Sequence, residues 1–129
     1  MIFNFIVIYY LIMNKRILLL EDEKDILELI QEILEEEGYN VIAFNHYESV
    51  EEIIEFAPQL ILLDIRLSNG YGHLLCGDLK ANPKTSHIPV ILVSGAGNLE
   101  KIARDYNADN FLAKPFDMED LIGMVKQYV

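Results

Sequence analysis

Positive charge is scarce in this chain: 10 Lys and Arg stand against 21 Asp and Glu, for a net charge of −11. Binding a phosphate backbone by counterion release needs clustered Lys and Arg, and no stretch supplies such a cluster. Nucleic acid is therefore not an expected partner. Cysteine is reduced to Cys76 alone. No internal disulfide can form, which fits a reducing, cytoplasmic setting, and Cys76 reads as a small helix residue. Glycine and proline number 7 and 4, too few for a low-complexity chain. With 52% hydrophobic residues, the 129 positions suffice to bury one domain core. The histidines His46, His73 and His87 lack metal-ligand spacing and read as surface residues. There is no Walker lysine loop, and Gly95-Ala96-Gly97 lacks the rest of a dinucleotide fingerprint, so an ATP-using enzyme is not expected.

Long hydrophobic runs are missing too, and the one candidate is short. Residues 1–13 carry no charge, and Asn4 is their only polar side chain apart from Tyr9 and Tyr10. A bilayer-spanning helix needs ~17–25 residues. The segment also lacks the basic region and small-residue cleavage site of a signal peptide. Met13-Asn14-Lys15-Arg16 leads directly into the first apolar strand. Residues 1–13 are thus read as an extension whose start is misassigned, with translation beginning at Met13 and the domain covering 14–129. The alternative is an interfacial anchor or a partner-docking arm, and membrane contact is expected only through it.

From Lys15 onward, strand and helix patterns alternate, which implies βα units around a parallel sheet. Strands are expected at 17–20, 41–44, 60–63, 90–93 and 111–113. Ile26, Leu29, Ile30, Ile33 and Leu34 recur at helical spacing, with Gly38 just past the helix end. Ser49-Val50-Glu51-Glu52 has capping-box spacing, with Val50, Ile53 and Ile54 inward. Tyr71 to Ala81 reads as a helix with Leu74, Leu75 and Leu79 as its stripe. Asn98–Tyr106 and a helix capped by Asp117, carrying Leu121, Ile122, Val125 and Tyr128, complete the chain. The expectation is five strands and five helices in strict alternation, with helices on both faces.

Four of the apolar runs end in residues that handle phosphate or metal. The first runs into Glu21-Asp22, the third into Asp64, the fourth into Ser94, and the fifth into Lys114-Pro115. Ligands of open α/β sheets sit beyond the carboxyl ends of the strands, so these groups should converge. A carboxylate such as Asp64 is a plausible nucleophile toward phosphorus. Glu21 and Asp22 nearby would raise each other's pKa unless a cation sits among them, and Mg²⁺ suits oxygen ligands of this kind. Lys114 offers a point charge for a phosphoryl oxygen, Pro115 a fixed turn that can be cis, and Ser94 a hydroxyl donor. Singly, each is as well explained as a cap or a turn, and Asp22 also fits the start of the first helix.

Together, Glu21-Asp22, Asp64-Ile65-Arg66-Leu67, Ser94 and Lys114-Pro115-Phe116 resemble the receiver domain of two-component response regulators, over residues 15–129. The resemblance implies a CheY-like, flavodoxin-like doubly wound fold with five parallel strands in the order 2-1-3-4-5. It implies that Asp64 takes a phosphoryl group from a sensor histidine kinase, a histidine phosphotransfer protein or a small donor. Asp22, Asp64 and the backbone carbonyl of Arg66 would bind Mg²⁺, with Glu21 acting through water. Lys114 and Ser94 would contact the phosphoryl oxygens, and Ser94 would couple to Phe111 as a switch. The changed face would comprise the fourth helix, fifth strand and fifth helix, where a downstream protein target docks. The chain would catalyse only its own phosphorylation and dephosphorylation, and would act as a single-domain regulator.

Departures from the family pattern are Ser68 in place of the usual Pro, Ser94 for Thr, and Phe111 for Tyr. Arg66 and Ala96 occupy positions that tune phosphate lifetime. Two other classes compete. An aspartate-nucleophile phosphohydrolase normally has a second Asp two residues on, where this chain has Arg66. A receiver-like binding module that no longer depends on phosphate would not need the acidic and basic residues retained here.

Overall fold

The computed structural model describes residues 2–13 and 15–129. In chain order the elements are α1 (Ile2–Met13), β1 (Arg16–Leu20), α2 (Lys24–Glu36), β2 (Asn40–Phe44), α3 (Val50–Phe56), β3 (Leu60–Leu63), β4 (Arg66–Leu67), β5 (Gly70–Tyr71), α4 (Gly72–Ala81), β6 (Val90–Ser94), α5 (Leu99–Asp105), β7 (Asn110–Ala113) and α6 (Met118–Lys126). Five strands form one parallel sheet in the order β2-β1-β3-β6-β7. Counting only these strands, that is the expected 2-1-3-4-5 order.

Alternation along the strands explains why the sheet is covered on both faces. Leu18, Leu20, Ile61, Leu63, Val90 and Leu92 point to one side, where they pack with Ile53 of α3, Leu75 and Leu79 of α4, and Leu99 and Ala103 of α5. Ile17, Leu19, Leu60, Leu62, Ile91 and Val93 point to the other, against Ile30, Ile33 and Leu34 of α2 and Leu121 and Val125 of α6. Both sets are inaccessible, which is why these strands are continuously apolar rather than alternating. Each such side chain contributes roughly 1.5–3 kcal/mol by leaving water.

Several expectations need correction. An antiparallel hairpin, β4–β5, interrupts the strict alternation directly after Asp64, and α1 precedes the alternating units. Runs of two residues carry too little periodicity to announce a strand. Leu29 and Leu74 are exposed, at 47% each, because the inward stripes of α2 and α4 are narrower than the apolar spacing suggests. His73 is half-buried between the rings of Tyr71 and Tyr106 rather than on the surface. Asp117 holds the N-cap position of α6, but its side chain makes no capping hydrogen bond. At α3, Ser49 Oγ accepts from the Glu52 amide at 3.1 Å. Glu52 returns its carboxylate to the Ser49 hydroxyl instead of the backbone, so the capping box is half made. Cys76 is fully buried, and burial pushes its thiol up to about 11.

In α1, five apolar or aromatic residues in a row are exposed, from Phe5 at 76% to Tyr9 at 67%. Among the described residues no helix is long and apolar enough to cross a membrane. Residue 14, where the sequence reading starts the domain, lies outside the described residues.

Gly38 ends α2 where a side chain would be strained, at φ +91°. Its amide donates to Glu35 O at 3.0 Å and the next amide, from Tyr39, to Leu34 O at 3.1 Å, the paired bonds of a Schellman turn. Gly38→Ala should therefore lower stability by about 1 kcal/mol in a urea melt, with the m-value unchanged.

Candidate functional site

The carboxyl edge of the sheet gathers the chemistry-bearing residues because each follows a strand in register with its neighbours. The ladder runs on past β1 and β3: the Asp64 amide donates to Leu20 O at 2.9 Å, and the Glu21 amide to Phe44 O at 3.1 Å. Lys114 is held in the same way, its amide donating to Ser94 O at 2.9 Å. The Lys114–Pro115 peptide is cis.

Three charged side chains meet there. Lys114 Nζ lies 2.7 Å from Glu21 Oε1 and 3.3 Å from Asp64 Oδ2. Glu21 and Asp64 are 1% and 7% exposed, so water screens this cluster little. Two carboxylates against one ammonium leave a surplus negative charge, and burial makes that surplus costly. The cluster meets the cost with a proton. Burial first, then the shared hydrogen bond and charge of Asp64, push Glu21 up from 4.5 to about 7. Lys114 responds in the same sense. Burial favours its neutral form, but Glu21 and Asp64 outweigh burial and raise its pKa. The buried Glu21 Oε1 is paired with the ammonium by charge, yet accepts no hydrogen bond from it. Glu21 Oε2 accepts from the Glu23 amide at 3.1 Å, and Glu23 occupies the N-cap position of α2. The helix start is thus supported by Glu21, not by Asp22.

An open cavity of about 640 Å³ stands over the cluster, lined among others by Asp22, Asp64, Arg66, Ser94, Ala96 and Lys114. Asp22 is exposed at its mouth. Ser94 is buried, and its Oγ accepts from the Ala96 amide at 3.2 Å. Arg66 is exposed in β4. Phe111 lies beneath, paired with Leu92 across the ladder and half-buried against the core that includes Leu99 and Ala103. The structure therefore brings Glu21, Asp64 and Lys114 into contact, and Asp22, Ser94 and Arg66 to the same cavity. Phe111 is set one layer below.

Gly72 escaped the sequence reading. Its Cα packs so closely on Asp64 that an added Cβ would stand 1.8 Å from the Asp64 carbonyl oxygen. Only glycine allows α4 to start there, and a helix beginning directly at a glycine was the available signal.

Among the described residues no three His, Cys, Asp or Glu side chains are already gathered around a metal position. Lys114 holds the space between Glu21 and Asp64 instead. The donor set nevertheless suits a divalent ion: hard oxygens, a buried oxygen without a hydrogen bond, and a retained proton that added positive charge would displace.

The raised Glu21 pKa has a definite consequence for stability. The folded state holds the proton more tightly than the unfolded chain, so the contribution is fully present below pH 4.5 and is lost as pH rises to about 7. Metal-free protein should lose up to about 3 kcal/mol across that window, by denaturant melts at fixed ionic strength. Glu21→Gln should flatten the loss and be the more stable form at pH 8.

Comparison with known proteins gives this geometry its context. The response regulator receiver domain family matches over residues 17–126. The phosphate regulon transcriptional regulatory protein PhoB of Escherichia coli is 35% identical over 117 residues, covering 88% of this chain and 51% of its own. The chain spans about half the length of the curated relatives it matches. Among solved structures, the receiver domain of NtrX from Brucella abortus is 32% identical with a TM-score of 0.77, covering 87% of this chain and 96% of that one. The Mn²⁺-bound form of response regulator Rcp1 is 27% identical with a TM-score of 0.70, covering 88% and 90%. The chain belongs to the response regulator receiver domain family of two-component systems.

Proposed function

We propose that Asp64 is a phosphoryl acceptor and that the chain signals through protein contacts that change when it is loaded. The observation that carries this reading is Lys114, poised between Glu21 and Asp64 on the floor of an open cavity. An Asp64 carboxylate oxygen attacks phosphorus. The phosphorus–nitrogen bond of a phosphohistidine breaks, and its electron pair returns to the imidazole nitrogen. The donor is a sensor histidine kinase or a histidine phosphotransfer protein. The acyl phosphate places extra negative charge beside Lys114, whose ammonium shifts from bridging carboxylates to pairing with a phosphoryl oxygen. Ser94 Oγ, now turned to the Ala96 amide, donates to another. The chain catalyses its own loading and unloading and no other turnover.

The residues that would hold a divalent cation, Mg²⁺ in this reading, are Asp22, Asp64 and the Arg66 backbone carbonyl, with Glu21 acting through water. The ion would supply charge neutralisation at the phosphoryl oxygens. The Mn²⁺-bound form of the related Rcp1 supports a divalent ion. Movement of Ser94 opens space into which Phe111 rotates, altering the α5–β7–α6 face where the downstream protein binds.

Incubation with Mg²⁺ and phosphoramidate should add one phosphoryl group, seen by intact mass, in wild type and none in Asp64→Asn. No adduct with phosphoramidate or acetyl phosphate, or an adduct that persists in Asp64→Asn, would sink the proposal. Steady phosphate release from organic phosphates would favour the hydrolase reading instead.

A further inference from the structure

The hairpin that follows Asp64 is anchored at its tip from a distant part of the chain. Arg66 pairs with Tyr71 and Leu67 with Gly70, leaving Ser68 and Asn69 as the turn. Asn69 Oδ1 accepts a hydrogen bond from the Tyr47 amide at 2.5 Å, across 22 residues of sequence. Tyr47 belongs to the loop between β2 and α3. Its ring also covers Gly70 so closely that an added Cβ would lie 2.7 Å from Tyr47 Cδ2. At its base the hairpin is fixed by the Gly72 amide, which donates to Ile65 O at 2.7 Å. A two-stranded ribbon is at best marginal on its own, so the place of Arg66 depends on these ties. Neither Asn69 nor Tyr47 lines the cavity over Asp64.

We propose that Asn69 is a positioning residue: clasped to the Tyr47 amide, it holds the β4–β5 hairpin so that the Arg66 carbonyl stays at the cation side of the site. The inference rests on the reading of Asp22, Asp64 and Arg66 as the Mg²⁺ ligands. A clasp of this kind is worth little to global stability, because Asn69 is exposed and surface substitutions usually change stability little. Its effect falls on Mg²⁺ affinity, since the free loop must be re-ordered each time the ion binds.

Three variants test this: Asn69→Ala, Asn69→Asp, and Asn69→Ala with Ser68→Asp. Each is followed by Tyr47 amide exchange, by Mg²⁺ titration of the Ile65–Gly72 amide shifts, and by phosphoramidate loading. Asn69→Ala should speed Tyr47 exchange and raise the Mg²⁺ dissociation constant roughly three- to tenfold, the reach of one hydrogen bond. Its loading rate at saturating Mg²⁺ should stay within about twofold of wild type, as expected when binding alone is affected. Asn69→Asp keeps an acceptor oxygen and should restore slow exchange and affinity. The double variant adds the same negative charge next door without an acceptor at residue 69 and should not. Wild-type affinity in Asn69→Ala, or equal rescue by the double variant, would overturn the clasp. A wild-type protein that neither binds Mg²⁺ nor takes a phosphoryl group would overturn the underlying reading instead.

Discussion

The contact on which the rest of this molecule turns is the ammonium of Lys114 held between two buried carboxylates, 2.7 Å from Glu21 and 3.3 Å from Asp64. One positive charge does not balance two negative ones on carboxylates that are themselves buried. The cluster responds by pushing the Glu21 carboxyl up to about 7, so that it holds its proton well above the usual carboxylate range. A site in that condition is short of positive charge, and it favours whatever supplies it. It also has a cation, Lys114, already placed to follow negative charge if Asp64 acquires more. Stability and receptivity are therefore opposed here: the buried carboxylates cost folding free energy at neutral pH, and they are also the groups a divalent ion would engage.

The scaffold explains why such a costly arrangement persists. Strands β1, β3 and β6 are inaccessible on both faces, and their ladder continues through the amides of Glu21, Asp64 and Lys114. The charged side chains are thus fixed by backbone bonds rather than by their own attraction. Gly72 adds a second constraint by bringing α4 onto the Asp64 carbonyl. Asp64 is gripped from the sheet side and the helix side, while its carboxylate faces an open cavity. Rigid support below and access above suit the phosphoryl transfer proposed for Asp64.

How much of this was legible in the sequence follows from which signals are local. Buried parallel strands are continuous apolar runs, so four runs ending in Glu21, Asp64, Ser94 and Lys114 were enough to place the edge and the convergence. Gly38 was legible because a helix end with glycine has a defined turn. Leu29 and Leu74 misled, since helical spacing marks a wide apolar stripe but not the width that neighbours cover. The hairpin at Arg66–Tyr71 was invisible because two-residue strands have no period. Gly72 against Asp64, and Asn69 against Tyr47, depend on backbone proximity that no one-dimensional pattern records. The retained proton on Glu21 was anticipated only in kind, from the crowding of acidic residues, since its size depends on burial and on the position of Lys114.

The most direct test is a ¹³C NMR titration of the Glu21 side-chain carboxyl in metal-free protein. A midpoint near 7 in wild type that moves toward the ordinary carboxylate range in Asp64→Asn is the result predicted by a shared, charge-deficient cluster. A Glu21 midpoint near 4.5, or one indifferent to Asp64→Asn, would contradict it.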